Sequence, residues 1–301
     1  MRTRTAAPEA AVPPVPAPPP VPPPVPPSVP PRERLGEREV LRRVAAEPLV
    51  GLGAGRALLM QLAHPEVARG VAEHSDFAGR PLARLFGTLD FLLIVTFGTP
   101  DEVELFSARV RGLHRRVKGE GYSGTDPELQ VWVNATLIDS ALHVYRHVMR
   151  PGADEPDLSD DYCRQARIVA EVLDVPPGLQ PDDLASFRAY VDGMVASLEV
   201  SDTAREVARA VLWPRRLRWL APVLWVFRLV TTALLPPPLR EQYGLPWGRT
   251  RARLADLVLR TGTDLYHFTP AWLRRPPQRL LVRLATHRVN ATMRHSRRRR
   301  R

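Results

Sequence analysis

The chain has 301 residues but a single cysteine, Cys163, and a single lysine, Lys118. A lone cysteine excludes an intrachain disulfide and any cysteine-built metal centre. The lysine shortage, with all but one of 43 basic residues arginine or lysine falling to arginine, follows GC-rich coding and carries no chemistry of its own. There is no phosphate-binding loop ending in Gly-Lys, no Gly-x-Ser-x-Gly elbow and no Glu-x-x-His, which sets aside P-loop nucleotidases, serine hydrolases of the elbow type and ferritin-like di-iron sites. No segment alternates apolar and polar residues at period two, so extended sheet is not expected. No uninterrupted apolar stretch follows Arg2 and Arg4, so no secretory signal is read, and a cytoplasmic protein is expected.

Proline, by contrast, is abundant. Of 33 prolines, fourteen lie in residues 1–33. The run Pro18-Pro19-Pro20-Val21-Pro22-Pro23-Pro24 lacks backbone donors and has fixed φ, so residues 1–33 are expected to be a disordered, polyproline-like leader without fold. The net charge of +11 is also uneven. Arg294 and Arg297 to Arg301 supply more than half of it. The intervening body is nearly balanced, which argues against a nucleic-acid-binding domain. Residues 34–290 are long enough for one large domain, and residues 291–301 read as a basic tail able to meet phosphates or anionic lipid.

Within the body, start signals and period-3.6 stripes recur, so the expected fold class is all-α. Thr99-Pro100-Asp101-Glu102 caps a helix whose inward stripe is Val103, Phe106, Val110, Leu113 and Val117. Asp126-Pro127-Glu128 repeats the signal for a helix carrying Val131, Ala135, Ile138, Leu142 and Tyr145. Further helices are expected over 33–46, 57–63, from Pro81 through Val95, over 158–173, from Asp182 or Asp183 to Leu198, from Ser201-Asp202 to Leu212, and over 254–266. The helix from Pro81 is apolar nearly all round and is expected to be buried. Residues 217–235 could span a bilayer by length, but Arg218, Pro222 and Arg228 interrupt them. A buried core helix, or one lying on a membrane surface, is expected instead. Gly51-Leu-Gly-Ala-Gly-Arg56 has Leu58 where a dinucleotide fingerprint needs its last glycine, and no strand precedes it; a turn into a helix is expected.

Several residues could carry chemistry. Arg84, on an apolar helix, requires an anionic partner, either a carboxylate of this chain or a bound anion. Thr88 shares its face, one turn on. His114, at the edge of an apolar stripe, can be a hydrogen-bonded core residue or a ligand to metal or haem iron. Asp139, His143 and His147 stand at four-residue steps, a spacing that could hold zinc or non-haem iron, although Arg146 and Arg150 nearby would repel a cation. A non-enzymatic reading, a helical protein binding lipid or a partner through 217–235 and the basic tail, stays open beside these.

Taken in order, these pieces resemble a known family. Gly55-Arg-Ala-Leu-Leu-Met-Gln-Leu-Ala-His64-Pro65, Val71-Ala-Glu-His74-Ser-Asp-Phe77, Arg84-Leu-Phe-Gly-Thr88, His114, Lys118-Gly119 and Tyr122 through Ser140 look like the catalytic domain of MpaB-type oxygenases and of the rubber oxygenase called latex clearing protein. The likeness runs to Leu234 through Trp247, about residues 40–250. It implies an all-α domain holding haem b between helices, with dioxygen as co-substrate and a hydrophobic, isoprenoid or unsaturated substrate. It also implies His114 as the proximal iron ligand, with Arg84 and Thr88 on the distal side and Arg84 additionally placed to meet a haem propionate. One departure is Gly87, where the rubber oxygenase has a distal lysine, so a lysine-ligated closed state cannot form. The family's proposed catalytic glutamate has no secure counterpart; Glu66 and Glu73 are the candidates.

Overall fold

The computed structural model describes residues 35–75, 81–149, 157–176, 178–270, 280 and 282–288; the side chains of 81–85 and 216 lie outside that description. The proline-rich leader and the arginine tail also lie outside it. The start signals in the sequence act as capping chemistry requires. Thr99 Oγ1 accepts from Glu102 N at 3.3 Å while Glu102 Oε2 accepts from Thr99 N at 2.9 Å. This reciprocal box satisfies two donors that a helix start leaves unpaired. Asp126 Oδ1 accepts from Glu128 N at 2.9 Å, Asp183 from Ser186 N at 2.9 Å, and Ser201 from Ala204 N at 3.2 Å.

Thirteen α-helices are present among the described residues. In chain order they are α1 (Glu39–Ala45), α2 (Ala54–Ala63), α3 (Pro65–His74), α4 (Pro81–Phe97), α5 (Pro100–His114), α6 (Pro127–Val144), α7 (Ser159–Ala166), α8 (Ile168–Glu171), α9 (Leu184–Ser197), α10 (Asp202–Leu212), α11 (Ala221–Leu234), α12 (Pro237–Gln242) and α13 (Arg249–Phe268). A small antiparallel hairpin, β1 (Lys118–Gly119) and β2 (Tyr122–Ser123), joins α5 to α6. Its turn needs a positive φ at Gly121, +76°, which glycine adopts without strain.

The centre is α6, buried at Leu129, Val131, Trp132, Ala135, Ile138, Leu142 and Val144. Helix α2 crosses it and also packs on α3 and α11. Close approach is possible because Gly53 and Gly55 carry no side chain. A Cβ on Gly53 would stand 2.9 Å from the Ser140 carbonyl oxygen, and one on Gly55 would overlap the Thr231 side chain. The stretch is thus a helix-packing surface, in agreement with its failure as a dinucleotide loop. Between the glycines and the core sits Arg56, buried, donating to Leu234 O at 2.8 Å and Ser140 Oγ at 3.0 Å and pairing with Asp139 Oδ2 at 2.5 Å. One guanidinium therefore ties α2, α6 and α11. Arg38 does similar work at the end of α4, donating to the Val95 carbonyl and to Gly98 O at 3.0 Å; burial lowers its pKa to about 10. Trp132, fully buried, donates to Met60 O at 3.2 Å, and Tyr243 to Leu59 O at 2.7 Å.

The structure departs from the sequence reading in particular places. Helices α3 and α12 were not expected; each begins at a proline, Pro65 or Pro237, that occupies the helix's first turn. The helix expected over 158–173 divides into α7 and α8 at Arg167. Residues 217–235 are not one helix: a 3₁₀ turn over Arg215–Leu220 precedes α11. Helix α4 is buried at Phe91, Ile94 and Val95, but Phe86 to Leu89 before them are not, with Phe86 45% and Leu89 42% exposed. After α6 the chain makes one π-helical turn, Tyr145–Met149. Two of the carbonyls it frees are taken by α13, Val148 O by Thr263 Oγ1 at 3.0 Å and Met149 O by His267 Nε2 at 3.0 Å.

Substitutions in the glycine stretch separate packing from loop chemistry. Gly55→Ala should cost about 1–3 kcal/mol, an overpacking penalty, whereas Gly51→Ala, which meets nothing within 4 Å, should be near neutral. Arg56→Met, which strands Asp139, should cost about 3 kcal/mol. Urea denaturation of the three variants checks the order.

Candidate functional site

His114 occupies the last turn of α5, where the inward stripe of that helix leaves the core: Val103 and Phe106 are buried, but Leu113 is half exposed. The imidazole is therefore half-buried rather than enclosed, which corrects the expectation of a buried face. Its position is set by the turn that follows. Gly124 lies against the His114 carbonyl, so closely that a Cβ there would stand 2.7 Å from it. Gln130, on the first turn of α6, reaches back: its Nε2 donates to Gly124 O at 2.8 Å and lies 3.5 Å from His114 Nδ1. One amide thus joins the hairpin turn, α6 and the imidazole. The Nδ1 edge faces this amide, and Nε2 is the other edge of the ring.

Arg84 and Thr88 lie one turn apart on α4, which packs on α5. Thr88 is exposed, together with Phe86, Gly87 and Leu89. The Arg84 side chain lies outside the described residues. The end of the described chain returns to this helix: Arg288 pairs with buried Asp90, its Nε 3.1 Å from Oδ2, and its guanidinium lies 5.8 Å from the Phe86 ring centre.

The two candidate glutamates differ. Glu73 accepts from Tyr122 Oη at 2.6 Å and so anchors the hairpin to α3. Glu66, half-buried at the start of α3, has its pKa raised by burial, with Asp126 and Glu128 adding to the rise and Arg69 opposing it. His64, the residue before α3, has a buried Nδ1 and a pKa lowered by burial, partly offset by Asp126. His74 is exposed, its Nε2 3.1 Å from Lys118 O.

Asp139 and His143 on α6 and His147 on the π turn after it are not brought into a ligand set. Asp139 is committed to Arg56. The imidazoles of His143 and His147 stack on each other, ring centres 4.6 Å apart, and His147 Nδ1 is 3.1 Å from His143 O. Among the described residues no three His, Cys, Asp or Glu side chains gather closely enough to hold a metal ion. The non-haem triad is thus a spacing without convergence, because the second and third members meet face to face and the first is spent on an arginine.

Residues 41–263, about three-quarters of the chain, match the family described as the catalytic domain of ER-bound oxygenase mpaB/B′ and rubber oxygenase. The chain belongs to this family. Two relatives, an uncharacterised protein of Mycobacterium bovis and another of Mycobacterium tuberculosis, are each 30% identical over 215 residues, 67% of this chain and 83% of theirs. No solved structure matches significantly. In this mpaB/rubber-oxygenase domain, Gln130 is the residue the sequence reading left without a role. The available signal was its place four residues past the Asp126 cap, where a first-turn amide can turn back over the preceding loop. The Arg56–Asp139 pair was also missed, since both partners were read locally.

His143 gives this region a pH signature. Burial first, then Arg56 and His147, lowers its pKa to about 4. The unfolded chain therefore binds a proton near its ordinary value of about 6.5 that the folded chain refuses until about 4. Stability should fall as pH drops through that window, by on the order of 1–3 kcal/mol, and His143→Gln should flatten the slope in denaturation series run from pH 7 to pH 4.

Proposed function

We propose that the protein is a haem b-dependent oxygenase acting with dioxygen on a hydrophobic, isoprenoid or unsaturated substrate. The observation that carries this reading is the match to an oxygenase catalytic domain over 41–263. The residues present fit the group. A neutral imidazole with one nitrogen against an amide is a suitable iron ligand. The bare apolar residues of the two helices, Phe86 and Leu89 on α4 and Leu113 on α5, suit a flat apolar cofactor. His114 would hold the iron through Nε2, which requires its proton on Nδ1. Gln130 would serve that tautomer only by turning its carbonyl oxygen to Nδ1–H, which gives up the bond from its Nε2 to Gly124 O.

Bound haem iron supplies the activation of dioxygen. The chain's own contribution is local. Gln130, if turned to accept from Nδ1–H, would hold the imidazole plane and increase the donor strength of Nε2. Thr88 offers a hydroxyl that can donate or accept on α4, with Arg84 one turn earlier as the cationic donor of the same helix. Phe86 and Leu89 would exclude water from that side. Glu66 is the better placed of the two candidate carboxyls to move a proton, because Glu73 is held by Tyr122 and the raised pKa of Glu66 brings it nearer to neutral pH.

Haem supplied during expression should give the purified protein a Soret band, and His114→Ala should abolish or shift it. A protein that takes up no haem under these conditions would end the proposal, and an unchanged band in the variant would move the ligand elsewhere. Gln130→Leu should keep the band but lower the iron–histidine stretching frequency in resonance Raman spectra, a change that a purely structural glutamine would not produce.

A further inference from the structure

The strongest unexplained surface lies on the other side of α2. Between Glu206 and Glu241 the chain carries six arginines and no acidic residue. The same stretch places three tryptophans on the surface, Trp213 at 48%, Trp219 at 76% and Trp225 at 45% exposure, with Val223 and Val226 also exposed. Arg215 and Arg218 share the 3₁₀ turn with Trp219. Arg228 lies over the Trp213 ring, 5.4 Å from its centre, and donates to Leu212 O at 3.2 Å. A groove of about 250 Å³ runs beside them, walled by Trp213, Trp225, Trp247, Arg228 and Arg251.

We infer that this face docks the protein onto a bilayer surface carrying anionic headgroups. Indoles combine an apolar body with one polar edge and concentrate at the depth where headgroup meets acyl chain, and arginine binds phosphate in a planar fork. A face that combines exposed indoles with arginines, and has no acid between Glu206 and Glu241, is complementary to a negative interface. A transmembrane span is excluded by the packing. Residues 217–234 are apolar and long enough to cross a membrane. The second half of α11, however, is inside the protein, with Thr231 against Gly55 and Leu234 O taken by Arg56. Only the 3₁₀ turn and the first half of α11 are available to lipid, which is the geometry of a helix that lies in the interface. The groove between Trp213, Trp225 and Trp247 would receive a lipid phosphate on Arg228 and Arg251. Haem plays no part in this reading, so it stands or falls apart from the oxygenase proposal.

Sucrose-loaded vesicles of neutral phosphatidylcholine, with or without phosphatidylglycerol, test it with the full-length protein. Sedimentation with the anionic vesicles should exceed that with neutral ones by about tenfold at low salt and weaken as salt rises. Trp219→Ala should reduce anionic binding severalfold with an unchanged unfolding midpoint, the side chain being 76% exposed. Arg215→Glu/Arg218→Glu should remove it. The inference is overturned if the protein sediments with neither vesicle, if the tryptophan variant binds as the parent does, or if deleting Arg297–Arg301 alone removes all binding. A dimer that the tryptophan variant converts to monomer, without vesicle binding, would assign the face to a second copy instead and equally overturn it.

Discussion

One buried cation organises the centre of this protein. Arg56 has its charge compensated by Asp139, while its Nη1 also donates to Ser140 and its Nε to the Leu234 carbonyl. A guanidinium taken out of water is tolerable only when its donors are matched in this way. The matching fixes three helices at once, because the partners come from α6 and from the last residue of α11. The glycines on either side make it geometrically possible. With a side chain at Gly53 or Gly55, α2 could not approach α6 or α11 closely enough for Arg56 to reach both.

The candidate site inherits its precision from that arrangement. Helix α6 is long and nearly all buried, so what happens at its middle constrains both ends. At its start, Asp126 caps the first turn and Gln130 reaches back to Gly124 and His114. At its far end, the π turn hands two carbonyls to α13. The imidazole proposed to bind iron sits on a different helix, α5, but its orientation is set by a residue of α6 through the hairpin turn. A site built between helices in this way is rigid because its supporting residues are rigid.

The fold class was legible because the start signals are local. Thr99, Asp126, Asp183 and Ser201 each satisfy donors within three residues of themselves, and nothing distant can overrule that chemistry. Prolines were legible only halfway: Pro100 and Pro127 were recognised as first-turn residues, whereas Pro65 and Pro237 were not, since a proline closing one helix and opening the next gives the same local pattern. The stripe put His114 on its helix, but it carried that helix on to Val117, whereas the helix ends at His114. The degree of burial of His114 was not legible either, because a stripe tells which face points inward and not where along the axis the core ends. The Asp139, His143 and His147 spacing misled for a related reason. Four-residue steps put three groups on one face, but whether they converge depends on partners such as Arg56, which lie more than 80 residues away.

Helices α4 and α11 share a property that averaging over their length conceals. Both are largely apolar, and along both the described side chains pass from exposed to buried. In α4 four consecutive residues from Phe86 to Leu89 are exposed, and in α11 three from Ala221 to Val223. Consecutive residues spread around the whole circumference of a helix, so these are not polar faces turned to water but apolar turns that project beyond the core. An apolar turn left in water has a cost of roughly 25 cal/mol for each Å² that burial would have removed. That cost is offset when something other than protein covers the turn. The two bare turns differ in what accompanies them: Thr88 and a nearby imidazole-bearing helix in one case, exposed indoles and arginines in the other. The first company suits a bound cofactor and its substrate; the second suits a lipid interface.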